Sequence, residues 1–226
     1  MSESRQHSVD IATVLRDARL GDLRWLAEER APYGDLADST RRLFDLLVDR
    51  RAEFVLVGGL AVLQYVGGRN TRDIDLIMAV SDLARLPELV VESQDGDFAR
   101  ASFEGIQVDL LLTTNALFET VRRNYITERD FSGRALPCAT PEGLILLKLF
   151  ALPSLYRQGE FGRISIYESD IAMLLKGRRL PLEPILAELA PHILPTDLAN
   201  IRDILADIAA RIARFDAGQA DASETG

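Results

Sequence analysis

The stretch FVLVGGLAVLQYVGGRNTRDIDLIMAV, residues Phe54–Val80, decides the fold that we expect for this chain. Its continuous apolar run Phe54–Val57 predicts a short strand that is buried on both faces. Gly58-Gly59 then predicts a tight turn, where the backbone can approach a ligand closely, into a helix that begins at Leu60. A second strand is predicted over Asp73–Val80. This order of strand, glycine turn, helix and strand indicates the core of an α/β domain.

Two aspartates, Asp73 and Asp75, lie on the second predicted strand. Residues two apart on a strand point to the same face, about 6.5–7 Å apart along the backbone. The two carboxylates repel each other, and their apolar neighbours deny them full hydration. A divalent cation between the two side chains is the simplest relief, so the pattern predicts a metal site.

A third aspartate, Asp109, lies inside an apolar run. That run, Ile106–Thr113, is predicted to form a hairpin with Phe98–Phe103 through the turn Glu104-Gly105. An aspartate in such a strand is rarely left buried unless it is paired or binds a metal. Two interpretations therefore stay open for Asp109: a metal ligand and a structural salt bridge.

Two charged residues lie in helices that are otherwise apolar. Thr140-Pro141-Glu142 predicts a helix start, and the run GLILLKLFAL that follows is apolar nearly all round, which is typical of a buried helix. Lys148 is the only charge in that run, and it either extends to the surface or serves a site. Asp170 lies near the apolar stripe of a later predicted helix, Ser165–Lys176.

The rest of the chain is predicted to be mainly helical. The expected domains are N-terminal helices packed on the core (1–50), a core with the sheet (51–137), a C-terminal helical domain (138–215) and a disordered tail (216–226). Further predicted segments are a helix at Ser81–Val91, a helix at Leu117–Tyr125, a polar connection at 128–137 with or without a short strand, a mobile basic loop at 155–163, and a last helix at Asp197–Phe215.

Composition limits the classes of protein that the chain can belong to. Of the 226 residues 47% are hydrophobic and 27% charged, which is typical of a globular protein. The polar N-terminus lacks the apolar region of a secretory signal, and no apolar run is long enough to span a bilayer. We therefore expect a cytoplasmic protein with no membrane partner. The single cysteine, Cys138, excludes an intrachain disulfide and a cysteine-cluster zinc site.

The charge distribution leaves two interpretations open. A net charge of −9 argues against binding nucleic acid through the overall field of the protein. The segment 122–179, however, contains ten basic and six acidic residues. This excess is either chance scatter on a solvated surface or a positive wall that faces an anionic substrate.

The motifs together resemble a known superfamily. Gly58-Gly59, Asp73-Ile74-Asp75 and Asp109, in this order, resemble the signature of the DNA polymerase β-like nucleotidyltransferases: a GG or GS turn, a DxD strand and a third acid on a later strand. The stretch Arg69-x-Thr71-x-Asp73-Ile74-Asp75-Leu76 looks like the R-x-T-x-DID-L form of the AbiEii-type nucleotidyltransferases, the toxins of type IV toxin–antitoxin systems.

The AbiEii-type group also carries a lysine on a later helix and an aspartate on the helix after it. Lys148 and Asp170 match these positions, so the resemblance spans Phe54 to Leu175. One departure is Gly59, which stands where the GS form has a serine and so lacks that hydroxyl.

The resemblance implies a fold and a set of residue roles. The implied fold is α/β (α+β), with a mixed nucleotidyltransferase-type sheet, flanking helices and a C-terminal helical bundle. The implied roles are metal ligands for two Mg²⁺ ions (Asp73, Asp75, Asp109), nucleotide binding (Gly58, Gly59, Arg69, Thr71, Lys148), catalysis by the three aspartates with Lys148 and with Asp170 to orient it, and acceptor or phosphate contacts (Arg72, Arg157, Arg163).

The implied activity is transfer of a nucleoside monophosphate from an NTP to an acceptor hydroxyl. The acceptor implied by the toxin-like motif is RNA, such as a tRNA end, or a protein, and a cognate antitoxin is then an expected partner. One alternative is a small-molecule nucleotidyltransferase of the aminoglycoside-modifying kind. Another, of a different class, is a non-catalytic module that binds nucleotide or RNA.

Overall fold

The computed structural model describes residues 33–67, 71, 73–178 and 180–224. The chain forms two compact units, divided between Leu144 and Ile145. The first of the predicted N-terminal helices lies outside the described residues, as do Arg69 and Arg72.

The first unit contains the sheet and the second is helical. The helices are α1 (Tyr33–Asp49), α2 (Gly58–Val62), α3 (Val80–Leu83), α4 (Ala116–Asn124), α5 (Pro141–Gln158), α6 (Phe161–Leu175), α7 (Leu182–Leu189) and α8 (Pro195–Glu224). The strands are β1 (Phe54–Val57), β2 (Ile74–Met78), β3 (Val90–Asp95), β4 (Phe98–Phe103), β5 (Ile106–Leu112), β6 (Ile126–Phe131) and β7 (Arg134–Ala139).

The seven strands form one mixed sheet in the order β3-β4-β5-β2-β1-β7-β6. The central strand β2 pairs antiparallel with β1 and parallel with β5. All four residues of β1 are buried, as the continuous apolar run predicted. A mixed sheet with flanking helices and C-terminal helices was expected, and this fold class is confirmed.

Helix α1 packs an apolar stripe against the core of the first unit. Leu43, Phe44 and Leu47 are at most 1% exposed. The ring of Phe44 lies 6.0 Å from that of Phe131, which ends β6. Burial of this stripe, rather than helix propensity alone, stabilises α1.

The segment 81–91, expected to be one helix, is different in the structure. Only the four-residue α3 is helical there, and β3 begins at Val90. Pro87 interrupts helical hydrogen bonding in this segment, and the β-branched pair Val90 and Val91 joins the ladder with β4. The expected helix is therefore wrong for most of its length, whereas the β4–β5 hairpin is confirmed.

The segment 128–137, expected to be a polar connection with or without a short strand, lies in the hairpin of β6 and β7. Strand β7 also pairs parallel with β1, which places Leu136 and Cys138 in the core. The sequence hid this hairpin because β6 is a polar edge strand and Pro137 lies within β7. As a result the sheet runs to Ala139.

The second unit corrects two further expectations. Helix α5 continues through Pro153 to Gln158 and α6 begins at Phe161, so the expected basic loop at 155–163 is mostly helical. Helix α8 runs to Glu224, so the tail expected to be disordered from residue 216 is helical through that residue. Its many alanines have the highest helix propensity, which an argument from apolar content alone overlooks.

No helix among the described residues is both long enough and apolar enough to cross a membrane.

Candidate functional site

Four neighbouring strands place four residues in one row across the sheet. Asp75 on β2 lies opposite Asp109 on β5, and Asp109 lies opposite Arg100 on β4. On the other side, Asp75 lies opposite Val57, the last residue of β1. Residues paired across strands point to the same face, with strands about 4.8 Å apart. The fold therefore brings together two carboxylates that are far apart in the sequence.

Asp73 lies one residue before β2 and two residues before Asp75. Along a strand, this spacing places two side chains on the same face. The backbone carbonyl of Asp73 accepts a hydrogen bond from Thr71 Oγ1 at 3.4 Å. Both Asp73 and Asp75 are partly buried. The Thr71 hydroxyl, which was expected to bind nucleotide, thus contacts the backbone of the DxD motif in this structure.

The glycine turn packs directly against Asp75. Gly58 has a φ of +62°, and a Cβ on it would lie 1.8 Å from Asp75 Oδ2. The next residue, Gly59, donates its backbone N–H to the same oxygen at 3.4 Å. Gly58 is required here for its backbone conformation and for the absence of a side chain.

We expect Gly58→Ala to destabilise the protein and to displace the Asp75 carboxylate. Strain in the left-handed region costs about 1–3 kcal/mol, and the collision with Asp75 adds to it. Gly96→Ala is the matched control, because Gly96 also has a positive φ (+47°) but nothing within 4 Å of its Cβ position. Urea unfolding measures both. An equal loss of stability in the two variants would show that the contact with Asp75 contributes nothing.

Asp109 forms a salt bridge. Arg100 Nε lies 2.9 Å from Asp109 Oδ1, and Arg100 Nη2 lies 3.5 Å from Oδ2. Gln107 donates its side-chain amide to both carboxylate oxygens, at 3.1 and 3.0 Å. The hydrogen bond to Asp109 raises the pKa of Arg100 above its usual value, and the negative charges of Asp109 and Asp73 raise it further. The salt-bridge interpretation of Asp109 therefore holds for this structure.

The fit of these residues to a divalent cation is incomplete in one respect. Within residues 33–67, 71, 73–178 and 180–224, no group of three acidic, histidine or cysteine side chains is arranged to hold a metal ion. The donor chemistry does suit Mg²⁺, because carboxylate oxygens are its preferred protein ligands and Asp75 and Asp109 lie side by side. Arg100 already supplies positive charge to the Asp109 carboxylate in this structure.

In the second unit, Lys148 and Asp170 form a buried ion pair. Lys148 Nζ lies 2.7 Å from Asp170 Oδ2, and the two side chains are 6% and 1% exposed. The ammonium also lies 4.4 Å from the centre of the Tyr167 ring, which favours a cation. Lys148 therefore does not extend to the surface. The pair suggested by the sequence is present, and its role in catalysis stays a prediction.

The two described arginines expected to contact acceptor or phosphate lie on helices of the second unit. Arg157, in the last turn of α5, pairs with Asp197 at 3.1 Å. Arg163 lies exposed in the first turn of α6. Pairing with Asp197 neutralises part of the positive wall that the local charge excess suggested. Their contact roles stay predictions.

Sequence reasoning missed Arg100 and Gln107 as partners of Asp109. The signal was present in the hairpin that it did predict. A two-residue turn at Glu104-Gly105 pairs Phe103 with Ile106, and counting outward from this pair sets Arg100 opposite Asp109.

Comparison with solved structures supports the fold. The chain is similar to an antigenic nucleotidyltransferase-like protein from Paracoccidioides brasiliensis, with 17% identity over 80% of this chain and 93% of that one (TM-score 0.55). It is also similar to ANT(2'')-Ia in complex with adenylyl-2''-tobramycin, with 14% identity over 68% of this chain and 94% of that one (TM-score 0.50). No family model and no curated protein matches the sequence. The chain thus has a nucleotidyltransferase fold, and at these identities the likeness extends to the fold alone.

Proposed function

We propose that this protein is a metal-dependent nucleotidyltransferase. The observation that carries the proposal is the pairing of Asp75 with Asp109 on adjacent parallel strands, with the Gly58 turn packed against Asp75. Two partly buried carboxylates side by side repel each other, and a cation shared between them relieves this repulsion. The nucleotidyltransferase fold makes nucleotidyl transfer the reaction class that this arrangement suits best.

In the proposed reaction an acceptor hydroxyl oxygen attacks the α-phosphorus of an NTP. The new bond joins that oxygen to the α-phosphorus, and the bond from the α-phosphorus to the bridging oxygen of the β-phosphate breaks. Pyrophosphate leaves with the bonding electrons, and the hydroxyl proton passes to a carboxylate or to water. When bound, Mg²⁺ would neutralise charge on the phosphates and lower the pKa of the attacking hydroxyl.

The chain's own residues take distinct parts in this proposal. Asp73, Asp75 and Asp109 would hold the cations, and Gly58-Gly59 would present backbone N–H groups to the triphosphate. Lys148 offsets the negative charge that develops as pyrophosphate leaves, and Asp170 orients its ammonium.

Two acceptor classes follow from different observations. The R-x-T-x-DID-L stretch favours RNA or a protein as acceptor. The net charge of −9 favours instead a small cationic alcohol, because it repels RNA phosphates and attracts polycations. The structure of ANT(2'')-Ia with an adenylylated aminoglycoside has the same fold. The first class is our primary proposal and the second the alternative.

Incubation with each α-³²P-labelled NTP and Mg²⁺ tests the proposal. Total RNA, a protein lysate and an aminoglycoside panel serve as acceptors. Label in RNA or protein supports the primary proposal, and label on an aminoglycoside supports the alternative. Nucleotide binding without transfer to any acceptor would indicate a non-catalytic binding module. Absence of both transfer and Mg²⁺-dependent NTP binding would contradict the proposed activity.

A toxin role predicts growth arrest that depends on the active site. Induced expression of the wild-type protein should arrest a bacterial host, and the Asp75→Asn variant at equal abundance should not. Colony counts and culture density measure the difference. Normal growth with both proteins would argue against a toxin and its antitoxin partner, and leaves the labelled-NTP assay as the separate test of the chemistry.

A further inference from the structure

We propose that Arg100 competes with the divalent cation for Asp109, so that cation binding requires the Arg100–Asp109 pair to open. The inference rests on the proposed nucleotidyl transfer, which needs a cation at this place. Arg100 contacts both carboxylate oxygens of Asp109, at 2.9 and 3.5 Å. A cation shared by Asp75 and Asp109 needs at least one of the same oxygens.

The position of Arg100 is set by the fold. It lies opposite Asp109 in the β4–β5 ladder, so its side chain and the carboxylate share one face. Asp109 in turn lies opposite Asp75 on β2, so Arg100 is two strands away from the strand of the DxD motif. Arg100 therefore places a positively charged side chain in the same row as Asp75 and Asp109.

The pair is built so that it can open. The Arg100 side chain is 53% exposed and that of Asp109 is 28% exposed. Ion pairs with this much access to solvent contribute little to stability, so a cation of higher charge can displace the guanidinium. Gln107 donates to both oxygens of Asp109 and keeps the carboxylate in place when the arginine leaves.

Mn²⁺ binding to the nucleotide-free, full-length protein tests the inference without measuring activity. Electron paramagnetic resonance of free Mn²⁺ gives the affinity. Arg100→Gln should bind Mn²⁺ about tenfold more tightly, because it removes the positive charge that competes with the cation for the Asp109 carboxylate. In the Asp109→Asn background the same substitution should have almost no effect, since the shared ligand is gone.

Arg42→Gln is the matched control. Arg42 is also 53% exposed and pairs with an acidic residue, Glu104, so its removal changes the net charge equally. Equal affinities in wild type, Arg100→Gln and Arg42→Gln would overturn the inference, as would a complete lack of Mn²⁺ binding. An equal gain in both arginine variants would also overturn it, because the effect would then be one of net charge.

The result separates the inference from the proposed function. If Arg100→Gln binds Mn²⁺ more tightly but the labelled-NTP assay shows no transfer, the competition stands and the proposed activity fails. If transfer occurs but Mn²⁺ affinity is unchanged in Arg100→Gln, the activity stands and the competition fails.

Discussion

Asp75→Asn is expected to lower the proposed nucleotidyl transfer by about 10³-fold or more. If Asp75 is a metal ligand, removing its charge withdraws several kcal/mol of transition-state stabilisation, and each 1.36 kcal/mol changes the rate about tenfold. Asparagine has the shape of aspartate and keeps an oxygen for the Gly59 N–H. It also avoids the cavity that alanine would leave beside Gly58. Loss of activity can therefore be assigned to the charge, and single-turnover kinetics with labelled NTP measures it.

The control for this variant is Asp97→Asn. The Asp97 carboxylate accepts hydrogen bonds from Thr114 at 3.0 Å and from Asn115 at 2.9 Å, so it too is a partnered aspartate of the first unit. We expect the Asp97→Asn variant to keep wild-type activity, because Asp97 lies in the turn before β4, outside the row of Asp75 and Asp109. Full activity in Asp75→Asn would show that the metal assignment is wrong.

The sequence predicted the centre of the first unit best where several physical signals agree. The apolar run at Phe54–Val57, the diglycine turn and the carboxylate spacing all indicate the same local structure, and the resemblance that these motifs carry implied the fold class. Prediction from the sequence failed where the local signals conflict with one another. Pro137 and the polar edge strand concealed the β6–β7 hairpin, and Pro153 concealed the length of α5. A proline in the sequence predicts the end of a strand or helix, but the burial of neighbouring residues can keep the strand or helix intact.

For the candidate site, the sequence identified the acidic residues but not their partners. Asp109 lies opposite Asp75, as strands of a common sheet allow, yet its carboxylate is bound by Arg100 and Gln107. Single residues can be chosen by type and spacing. The partners of these residues are set by strand register. Register depends on which strands pair, and strand pairing is a property of the whole sheet.

The buried pair of Lys148 and Asp170 leads to the prediction with the largest effect on stability. Lys148→Met is expected to lower the free energy of unfolding by about 3–5 kcal/mol, because it leaves the Asp170 carboxylate buried without its cation. The side chain of Asp170 is 1% exposed, so water cannot replace the lost partner. Urea unfolding monitored by circular dichroism measures the change. As a control, Arg202→Met removes an exposed pair with Glu183 in the same unit and should leave stability nearly unchanged.

Replacing both members of the pair separates structure from catalysis. The double variant Lys148→Met, Asp170→Leu removes both charges, and buried ion pairs replaced by apolar residues of similar size are often neutral or stabilising. We therefore expect it to recover most of the stability that Lys148→Met loses. If Lys148 offsets phosphate charge, the stable double variant will still have lost transfer activity. A double variant that is both stable and fully active would show that the pair takes no part in the reaction.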